Sequence, residues 1–196
     1  MPPSHYTPLP DIVYPLRLAV IADTHVPDRM AKLPAGLIAS LQRMKPDRIF
    51  HAGDISHASI LNELGTIAPI IAVQGNRDFI FRLDLPVNRR MLIGDVKVIM
   101  THGQGSLLRY LNDKLKYYKT GYDFDRYRQY FDKDFPDADL VIFGHTHTPV
   151  NIAIGTRRYF NPGASYPCKS NDFKARFGWI EFIGSGKYRV KTIYFE

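Results

Sequence analysis

The 196-residue sequence contains one cysteine and no long apolar segment. Its single cysteine, Cys168, cannot form an internal disulfide, which favours a reducing compartment such as the cytoplasm. No apolar run approaches the roughly 20 residues of a membrane-spanning helix, so we expect no membrane partner. The proline-rich residues 1–15 lack the basic and apolar regions of a secretory signal and are interpreted as an extended leader, either loose or laid along the surface. We therefore predict a cytoplasmic protein with one domain at residues 16–196.

Long runs of basic residues are also missing, although the chain is basic overall. Lys and Arg number 26 against 19 Asp and Glu, giving a formal net charge of +7. Only Arg89-Arg90 and Arg157-Arg158 are adjacent basic pairs. A positive surface attracts phosphate-bearing molecules, but it also serves plain solubility. The charge therefore admits a small phosphorylated substrate and gives weaker support to a nucleic-acid partner.

Apolar, β-branched segments alternate with helical patterns, and the alternation predicts an α/β fold. Strands are predicted at residues 16–22, 48–52, 69–74, 96–100, 139–143, 150–154, 157–160, 177–183 and 188–195. Helices are predicted at residues 34–44, 56–65, about 106–118 and 123–135. The β-α-β-α-β order of the first half indicates parallel strands, and the two-residue alternation after Pro149 indicates antiparallel ones. Two packed sheets flanked by helices, with a helical insertion at about 105–136, follow from this order.

Five short clusters of metal-ligand residues occur in a fixed order, each after an apolar segment that predicts a strand. They are Asp23-Thr24-His25, Gly53-Asp54, Gly75-Asn76-Arg77-Asp78, Thr101-His102-Gly103 and Gly144-His145-Thr146-His147. Loops that follow the carboxyl ends of parallel strands converge, so we expect these clusters to meet. Their oxygen and imidazole donors suit divalent transition metals, and a carboxylate such as Asp54 can bridge two cations. The pattern predicts a dinuclear metal centre with ligands Asp23, His25, Asp54, Asn76, His102, His145 and His147.

The ordered series Asp-x-His, Gly-Asp, Gly-Asn-x-Asp, His-Gly and Gly-His-x-His resembles the calcineurin-like metallophosphoesterase superfamily. The sequence IFGHTHTP at residues 142–149 and the later Asn161-Pro162-Gly163 are similar to the small single-domain bacterial and archaeal phosphodiesterases of that group. The resemblance runs from about Leu16 to the C-terminus. It implies a four-layer α/β/β/α sandwich of two mixed sheets, in agreement with the strand pattern.

The resemblance also implies a role for each ligand. Asp23, His25 and His147 are expected to hold one metal ion, and Asn76, His102 and His145 the other. Asp54 is expected to bridge the two. The implied cofactors are two divalent ions, manganese first, with iron, zinc, nickel or cobalt as alternatives. A hydroxide held between them would attack phosphorus without a covalent enzyme intermediate, so Asp54, Asn76 and His102 are catalytic as well as metal-binding.

The third position of the Gly-Asn-x-Asp motif departs from many family members, which carry His there. Arg77 occupies it in this chain and, being always protonated, cannot act as a general acid. It can bind phosphate through two parallel hydrogen bonds. We interpret Arg77 as a catalytic and substrate-binding residue and expect leaving groups that need no proton. An arginine turned to solvent is the alternative.

Other polar residues near the motifs have two interpretations each. His57 is a second substrate-binding candidate, with a helix-surface histidine as the alternative. Asp78 is expected to orient Arg77 or to cap a turn, His51 to lie in the core, and Cys168 to be an inert loop thiol. The aromatic segment at 105–136 is interpreted as packing, as a substrate-selecting wall with basic side chains, or as a dimer interface, so a homo-oligomer stays open.

The sequence thus predicts a metal-dependent phosphodiesterase acting on a small phosphodiester or nucleotide. A nuclease is one alternative, although the chain leaves little room for DNA-binding elements. A protein-interaction scaffold like the retromer subunit of this fold is another. Retention of all seven ligand residues favours catalysis over a scaffold. A protein phosphatase is disfavoured because the Gly-Asn-His-Glu type of motif is absent from the sequence.

Overall fold

The computed structural model describes residues 5–196, so the first four residues of the predicted leader lie outside the described residues. The strands, in chain order, are β1 (Thr7–Pro8), β2 (Leu16–Ile21), β3 (Arg48–His51), β4 (Ile70–Ala72), β5 (Asn88–Ile93), β6 (Val96–Thr101), β7 (Leu140–Ile142), β8 (Val150–Ile154), β9 (Arg157–Asn161), β10 (Arg176–Gly184) and β11 (Lys187–Tyr194). The helices are α1 (Ala35–Met44), α2 (Ala58–Gly65), α3 (Asn76–Ile80), α4 (Leu107–Thr120) and α5 (Phe124–Asp134), with a 3₁₀ turn at Lys169–Asn171.

The strands form two mixed sheets. The first sheet has the order β11-β10-β2-β3-β4, in which β2, β3 and β4 are parallel and β10 and β11 antiparallel. The second sheet has the order β1-β5-β6-β7-β9-β8, in which β6, β7 and β9 are parallel. The two antiparallel hairpins of the second half therefore separate, β8-β9 to one sheet and β10-β11 to the other.

The two-residue period of the strands divides their side chains between two cores. Leu18 and Val20 of β2 lie in the cluster between the sheets. Ala19 and Ile21, the alternating residues, lie in the cluster that α1 and α2 cover. A third cluster joins the outer face of the second sheet to α5 through residues such as Phe131. These layers make the predicted α/β/β/α sandwich, which the structure confirms.

All nine predicted strands and all four predicted helices are present, with ends within two residues of the prediction. The sequence pattern missed β1, β5 and α3. Strand β5 begins with three polar residues, Asn88 to Arg90, which hide its alternation. Strand β1 belongs to the predicted leader and pairs with Met91 and Leu92 of β5, so residues 7–8 lie at the edge of the second sheet.

No helix within residues 5–196 combines the length and the apolar character needed to cross a membrane.

Close packing between the sheets yields a stability prediction at Gly178. This residue lies in β10 opposite Val20, and a Cβ built on it would overlap the ring of Phe160 from the second sheet. Gly178→Ala is therefore expected to lower the free energy of unfolding by about 1–3 kcal/mol, measured by urea titration. Gly65→Ala is the matched control, since a Cβ there meets nothing within 4 Å and alanine favours a helix. Equal stability of the two variants would contradict this packing.

Candidate metal centre

The predicted ligands lie where strands from both sheets end. Asp23 follows β2, Asp54 follows β3, and Asn76 begins α3 after β4. From the second sheet, His102 directly follows β6, and the loop after β7 carries His145 and His147. The structure thus brings all five clusters to one edge of the sandwich.

Five of these residues have left-handed backbone conformations, which non-glycine residues rarely adopt. They are Asp23 (φ 54°), His25 (φ 50°), Asp54 (φ 56°), His145 (φ 69°) and His147 (φ 58°). Backbone hydrogen bonds tie the loops together, since Asp23 N donates to Gly53 O at 3.0 Å and His25 N to Asp54 O at 3.0 Å. The loops therefore turn sharply as they leave the sheets, which directs these side chains toward one another.

One group of potential metal ligands consists of Asp23, His25 and His147. Their ligand atoms lie within 4.8 Å of one another. His25 Nε2 is 3.1 Å from His147 Nε2, and His147 Nε2 is 3.5 Å from Asp23 Oδ1. Asp23 and His25 are almost completely buried. These three residues are the set that the resemblance assigns to one ion.

A second group consists of Asp23, Asp54 and His102, again with ligand atoms within 4.8 Å of one another. His102 Nε2 is 3.4 Å from Asp54 Oδ1 and 3.9 Å from Asp23 Oδ1. The other ring nitrogen of His102, Nδ1, donates to Ala52 O at 2.7 Å. That bond fixes the orientation of the imidazole and directs Nε2 into the site, as is usual for metal-binding histidines.

The two oxygens of Asp54 face different partners. Oδ2 is 3.5 Å from His25 Nε2, whereas Oδ1 is 3.4 Å from His102 Nε2. Asn76 and His145 lie on the second side, with Asn76 Oδ1 3.2 Å from His145 Nδ1, and ring contacts link His145 to His102. The carboxylate of Asp54 therefore lies between the two sets of donors, in the position that a bridging ligand requires.

The candidate ligands differ in their protonation states. Burial lowers the pKa of His25 and of His147 to about 3, so both imidazoles are neutral at neutral pH. Burial raises the pKa of Asp23 to about 7. Burial alone would lower the pKa of His102, but the Asp54 carboxylate outweighs it and raises that pKa to about 9. The His102 proton thus offsets carboxylate charge that a divalent cation would otherwise neutralise.

Buried polar atoms without partners support the same conclusion. Asp23 Oδ2 and His102 Nε2 have no hydrogen-bond partner among residues 5–196, whereas His25 Nδ1, which is also unpaired, lies on the other side of its ring, 3.6 Å from Asp28 Oδ2. Buried polar groups are normally paired, so such atoms at one site call for an explanation. The set of carboxylate, amide and imidazole donors suits divalent transition metals, and the residues fit a site for two such ions.

Two outer residues hold the ligand loops. The buried carboxylate of Asp78 accepts four backbone N–H bonds, Oδ2 from Asp54 (2.9 Å) and Gly75 (2.8 Å) and Oδ1 from Ile55 (2.8 Å) and Ser56 (2.8 Å). Asp78 therefore caps the turns that carry Asp54 and Asn76. Both oxygens of Asp78 are engaged by these backbone donors, so the turn-capping alternative describes it best.

Asn161 of the Asn-Pro-Gly motif plays the corresponding role in the second sheet. Its Nδ2 donates to Gly144 O at 2.8 Å and to Thr146 Oγ1 at 3.1 Å, while its Oδ1 accepts from Gly163 N at 2.8 Å. The fully buried amide thereby fixes the loop that carries His145 and His147.

Arg77 and His57 occupy different environments. Arg77 lines the cavity at the centre, its N donates to Asp54 Oδ1 at 2.8 Å, and its Nε lies 3.2 Å from Asp28 Oδ2. His57 is the exposed N-cap of α2, where its Nδ1 accepts from Ser59 N at 3.2 Å. The structure does not bring His57 into the cavity lining, in keeping with the helix-surface alternative.

Sequence reasoning missed three neighbours of His147. Tyr166 Oη lies 3.3 Å and Cys168 Sγ 3.9 Å from His147 Nδ1, and Arg29 Nη1 donates to Tyr166 Oη at 2.5 Å. Tyr166 and Cys168 lie about twenty residues after His147, and Arg29 lies more than a hundred residues before it, so no motif links these groups in the sequence. Burial raises the pKa of the Cys168 thiol, which agrees with an unreactive side chain.

A cavity of about 300 Å³ opens over the centre. Its floor includes Asp54, Asn76, His145 and His147, and Arg29 and Arg77 lie at its sides. The opposite wall comes from the helical hairpin: Tyr110, Asp113, Lys114, Tyr117, Tyr118, Tyr122 and Tyr127. The 105–136 segment thus provides both packing, through α5, and a wall of the cavity, through α4.

The chain is similar to known metallophosphoesterases over most of its length. Residues 16–177 match the family model of the calcineurin-like phosphoesterase superfamily domain. A probable metallophosphoesterase of Methanothermobacter thermautotrophicus is 31% identical over 153 residues, which cover 75% of this chain and 76% of that protein. A probable metallophosphoesterase of Methanocaldococcus jannaschii is 32% identical over 147 residues, or 75% of this chain and 67% of that protein.

Solved structures share the fold. Vps29 from Entamoeba histolytica, in complex with zinc, superposes with a TM-score of 0.67 at 21% identity, covering 92% of this chain and 99% of that one. A structure described as a novel archaeal phosphodiesterase superposes with a TM-score of 0.57 at 21% identity, covering 90% of this chain and 99% of that one. At these identities the likeness is one of fold alone.

The bonds of Asp78 yield a prediction about how the site is held. Asp78→Asn replaces one acceptor oxygen by a donor and leaves two buried N–H groups unpaired. We expect the free energy of unfolding to fall by about 3 kcal/mol, and the rise in melting temperature on adding Mn²⁺ to shrink, because Asp54 loses its support. Asp84→Asn, a change at an exposed carboxylate, serves as the control. Identical behaviour of both variants would show that Asp78 does not hold the loop.

Proposed function

The chain belongs to the calcineurin-like phosphoesterase superfamily, and we propose that it is a dinuclear-metal phosphodiesterase acting on a small phosphodiester or nucleotide. Family membership makes it a metal-dependent phosphoesterase. The observation that supports a site for two metal ions is the position of Asp54, which has one oxygen facing His25 and the other facing His102. All seven ligand residues, Asp23, His25, Asp54, Asn76, His102, His145 and His147, are proposed to hold two divalent ions, manganese first.

The bound ions would lower the pKa of water and neutralise phosphoryl oxygens, the chemistry that two-metal sites contribute to in-line displacement. The chain's own groups prepare the site for this. The neutral imidazoles of His25 and His147 present free electron pairs, and the Arg77 backbone N–H fixes Asp54 Oδ1 at 2.8 Å. The guanidinium groups of Arg29 and Arg77 line the cavity and supply positive charge for a phosphate.

The extent of the cavity supports a diester over a monoester. It is lined by candidate ligands and also by residues of α4, which leaves space for a second ester substituent. Arg77, which cannot donate a proton as a general acid, suits leaving groups that need none in either kind of ester. The structural likeness to an archaeal phosphodiesterase agrees with this choice.

The scaffold alternative rests on Vps29, whose structures superpose with TM-scores up to 0.68. That similarity concerns the fold, since the identity is 20%. The convergence of the buried candidate ligands, together with the unpaired atoms Asp23 Oδ2 and His102 Nε2, supports the catalytic proposal over the scaffold. A nuclease would use the same metal centre. The net charge of +7 is the one observation that favours a nucleic-acid substrate over a small phosphodiester.

Hydrolysis of an aryl phosphodiester tests the proposal. Protein stripped of metal by a chelator should be inactive on bis(4-nitrophenyl) phosphate and should recover turnover with Mn²⁺. Asp54→Asn should lower kcat/KM by about 100-fold or more, because it removes a ligand charge shared by both ions. Asp84→Asn should retain turnover. No turnover with manganese, iron, zinc, nickel or cobalt in folded protein would favour the scaffold.

Arg77 yields a separate prediction about the leaving group. Arg77→Ala should raise KM for the aryl diester roughly tenfold, because a charge-assisted hydrogen bond to phosphate is lost. Arg77→His should make the rate depend less steeply on the pKa of the leaving phenol, because imidazolium can donate a proton. Arg89→His, an exposed change in β5, is the control. A series of phenyl esters measures the slope, and an unchanged slope and KM would place Arg77 outside the reaction.

A further inference from the structure

The α4 wall of the cavity contains a buried carboxylate that packing does not explain. Among the α4 side chains that the structure describes, Asp113 is the only buried one, with 3% of its surface exposed. Its Oδ1 accepts a hydrogen bond from Tyr130 Oη at 2.9 Å. Its Oδ2 has no hydrogen-bond partner within residues 5–196. Asp113 also lines the cavity, so a buried carboxylate with an unpaired oxygen lies in the cavity wall.

Aromatic rings surround this carboxylate and extend to the metal centre. Tyr110 and Tyr127 contact the ring of His145, with centroid distances of 5.7 and 6.2 Å. Tyr117 and Tyr118 line the cavity while remaining 50% and 76% exposed. Exposed aromatic faces beside a phosphate site are suited to stacking on a planar base. The wall thus offers flat apolar contact together with one hydrogen-bond acceptor.

The charge around Asp113 limits the ligand. A carboxylate repels phosphate. The group that binds Asp113 must therefore be a hydrogen-bond donor on a part of the substrate other than the phosphate. An ammonium group is one such donor, but Arg29, Arg77 and Lys114 line the same cavity and would repel it. A nucleobase is neutral and planar and carries N–H donors at its edge. It satisfies the tyrosine wall, the free oxygen and the local charge together.

We propose that Asp113 and the tyrosines of α4 form a nucleobase subsite, so that the substrate is a phosphodiester of a nucleoside whose base donates an N–H to Asp113 Oδ2. This inference rests on the proposed function for the placement of the phosphate at the metal centre. The exposed ring of Tyr118 is assigned to stacking on the base.

Two substrates with the same leaving group test the subsite. Bis(4-nitrophenyl) phosphate lacks a base, whereas the 4-nitrophenyl ester of guanosine 5′-phosphate carries one, and both release 4-nitrophenol. With Mn²⁺-loaded protein, kcat/KM should be higher for the guanosine ester. Asp113→Asn should reduce that preference about tenfold or more, mainly through KM, because one of the two acceptor oxygens becomes an N–H donor. Asp125→Asn, at an exposed carboxylate of α5, should preserve the preference.

Two variants of Tyr118 test the nucleobase subsite independently, also in the case that Asp113→Asn does not fold. Tyr118→Ala should lower the preference for the guanosine ester about tenfold, whereas Tyr118→Phe should keep it, because stacking needs only the ring. Unchanged preference in Tyr118→Ala, or equal loss on both substrates in Asp113→Asn, would overturn the subsite. Preference for 4-nitrophenyl phosphocholine over the guanosine ester would overturn it in favour of an ammonium ligand.

Failure of the proposed function gives a different result. If the native protein hydrolyses neither diester, the hydrolase proposal fails, and calorimetric titration with guanosine 5′-monophosphate still tests the subsite. Binding that Asp113→Asn weakens about tenfold, and Asp125→Asn does not, would support it. Absence of binding would overturn it.

Discussion

The left-handed backbone at five of the candidate ligand residues is the constraint on which the rest of the site depends. Each such non-glycine residue costs about 1–2 kcal/mol relative to ordinary conformations, so the loops cannot hold this shape unaided. Asp78 supplies four backbone acceptor contacts to the loops from the first sheet, and Asn161 holds the loop from the second. Each of these side chains is fully buried at the edge of the sandwich. The strain at the ligands is thus offset by hydrogen bonds that the packed sheets keep in register.

Electrostatics impose a second requirement on the same loops. Asp23 and Asp54 are both buried, and the pKa of Asp23 is raised to about 7 by that burial. Charged carboxylates in such surroundings need cations nearby. Without an ion, His102 partly meets that need, with a pKa raised to about 9 by the Asp54 charge. The site therefore combines fixed geometry with unbalanced charge, and the proposed divalent ions would neutralise that charge.

The fold and the convergence of the ligands could be predicted from the sequence because both have local signals. Alternating apolar residues mark the strands, and each ligand cluster directly follows one, so the topology of parallel strands brings the clusters together. The exceptions lack such signals. Strand β5 starts with polar residues, and α3 has only five residues. The neighbours of His147, namely Arg29, Tyr166 and Cys168, are brought in by tertiary structure that no spacing reveals.

The burial of Asp113 in the helical hairpin could not be predicted from the sequence either. The sequence predicts both helices, but helical periodicity does not show which face is covered. Helix α5 packs Tyr127 and Phe131 into the outer core of the second sheet. On α4, by contrast, Leu108 is 80% and Leu115 65% exposed, and among its described side chains only the carboxylate of Asp113 is buried. Helix α5 therefore anchors the hairpin while α4 contributes little to the core. Packing thus constrains the residues of α4 less than those of α5, which is consistent with the proposed role of α4 as a substrate-binding wall.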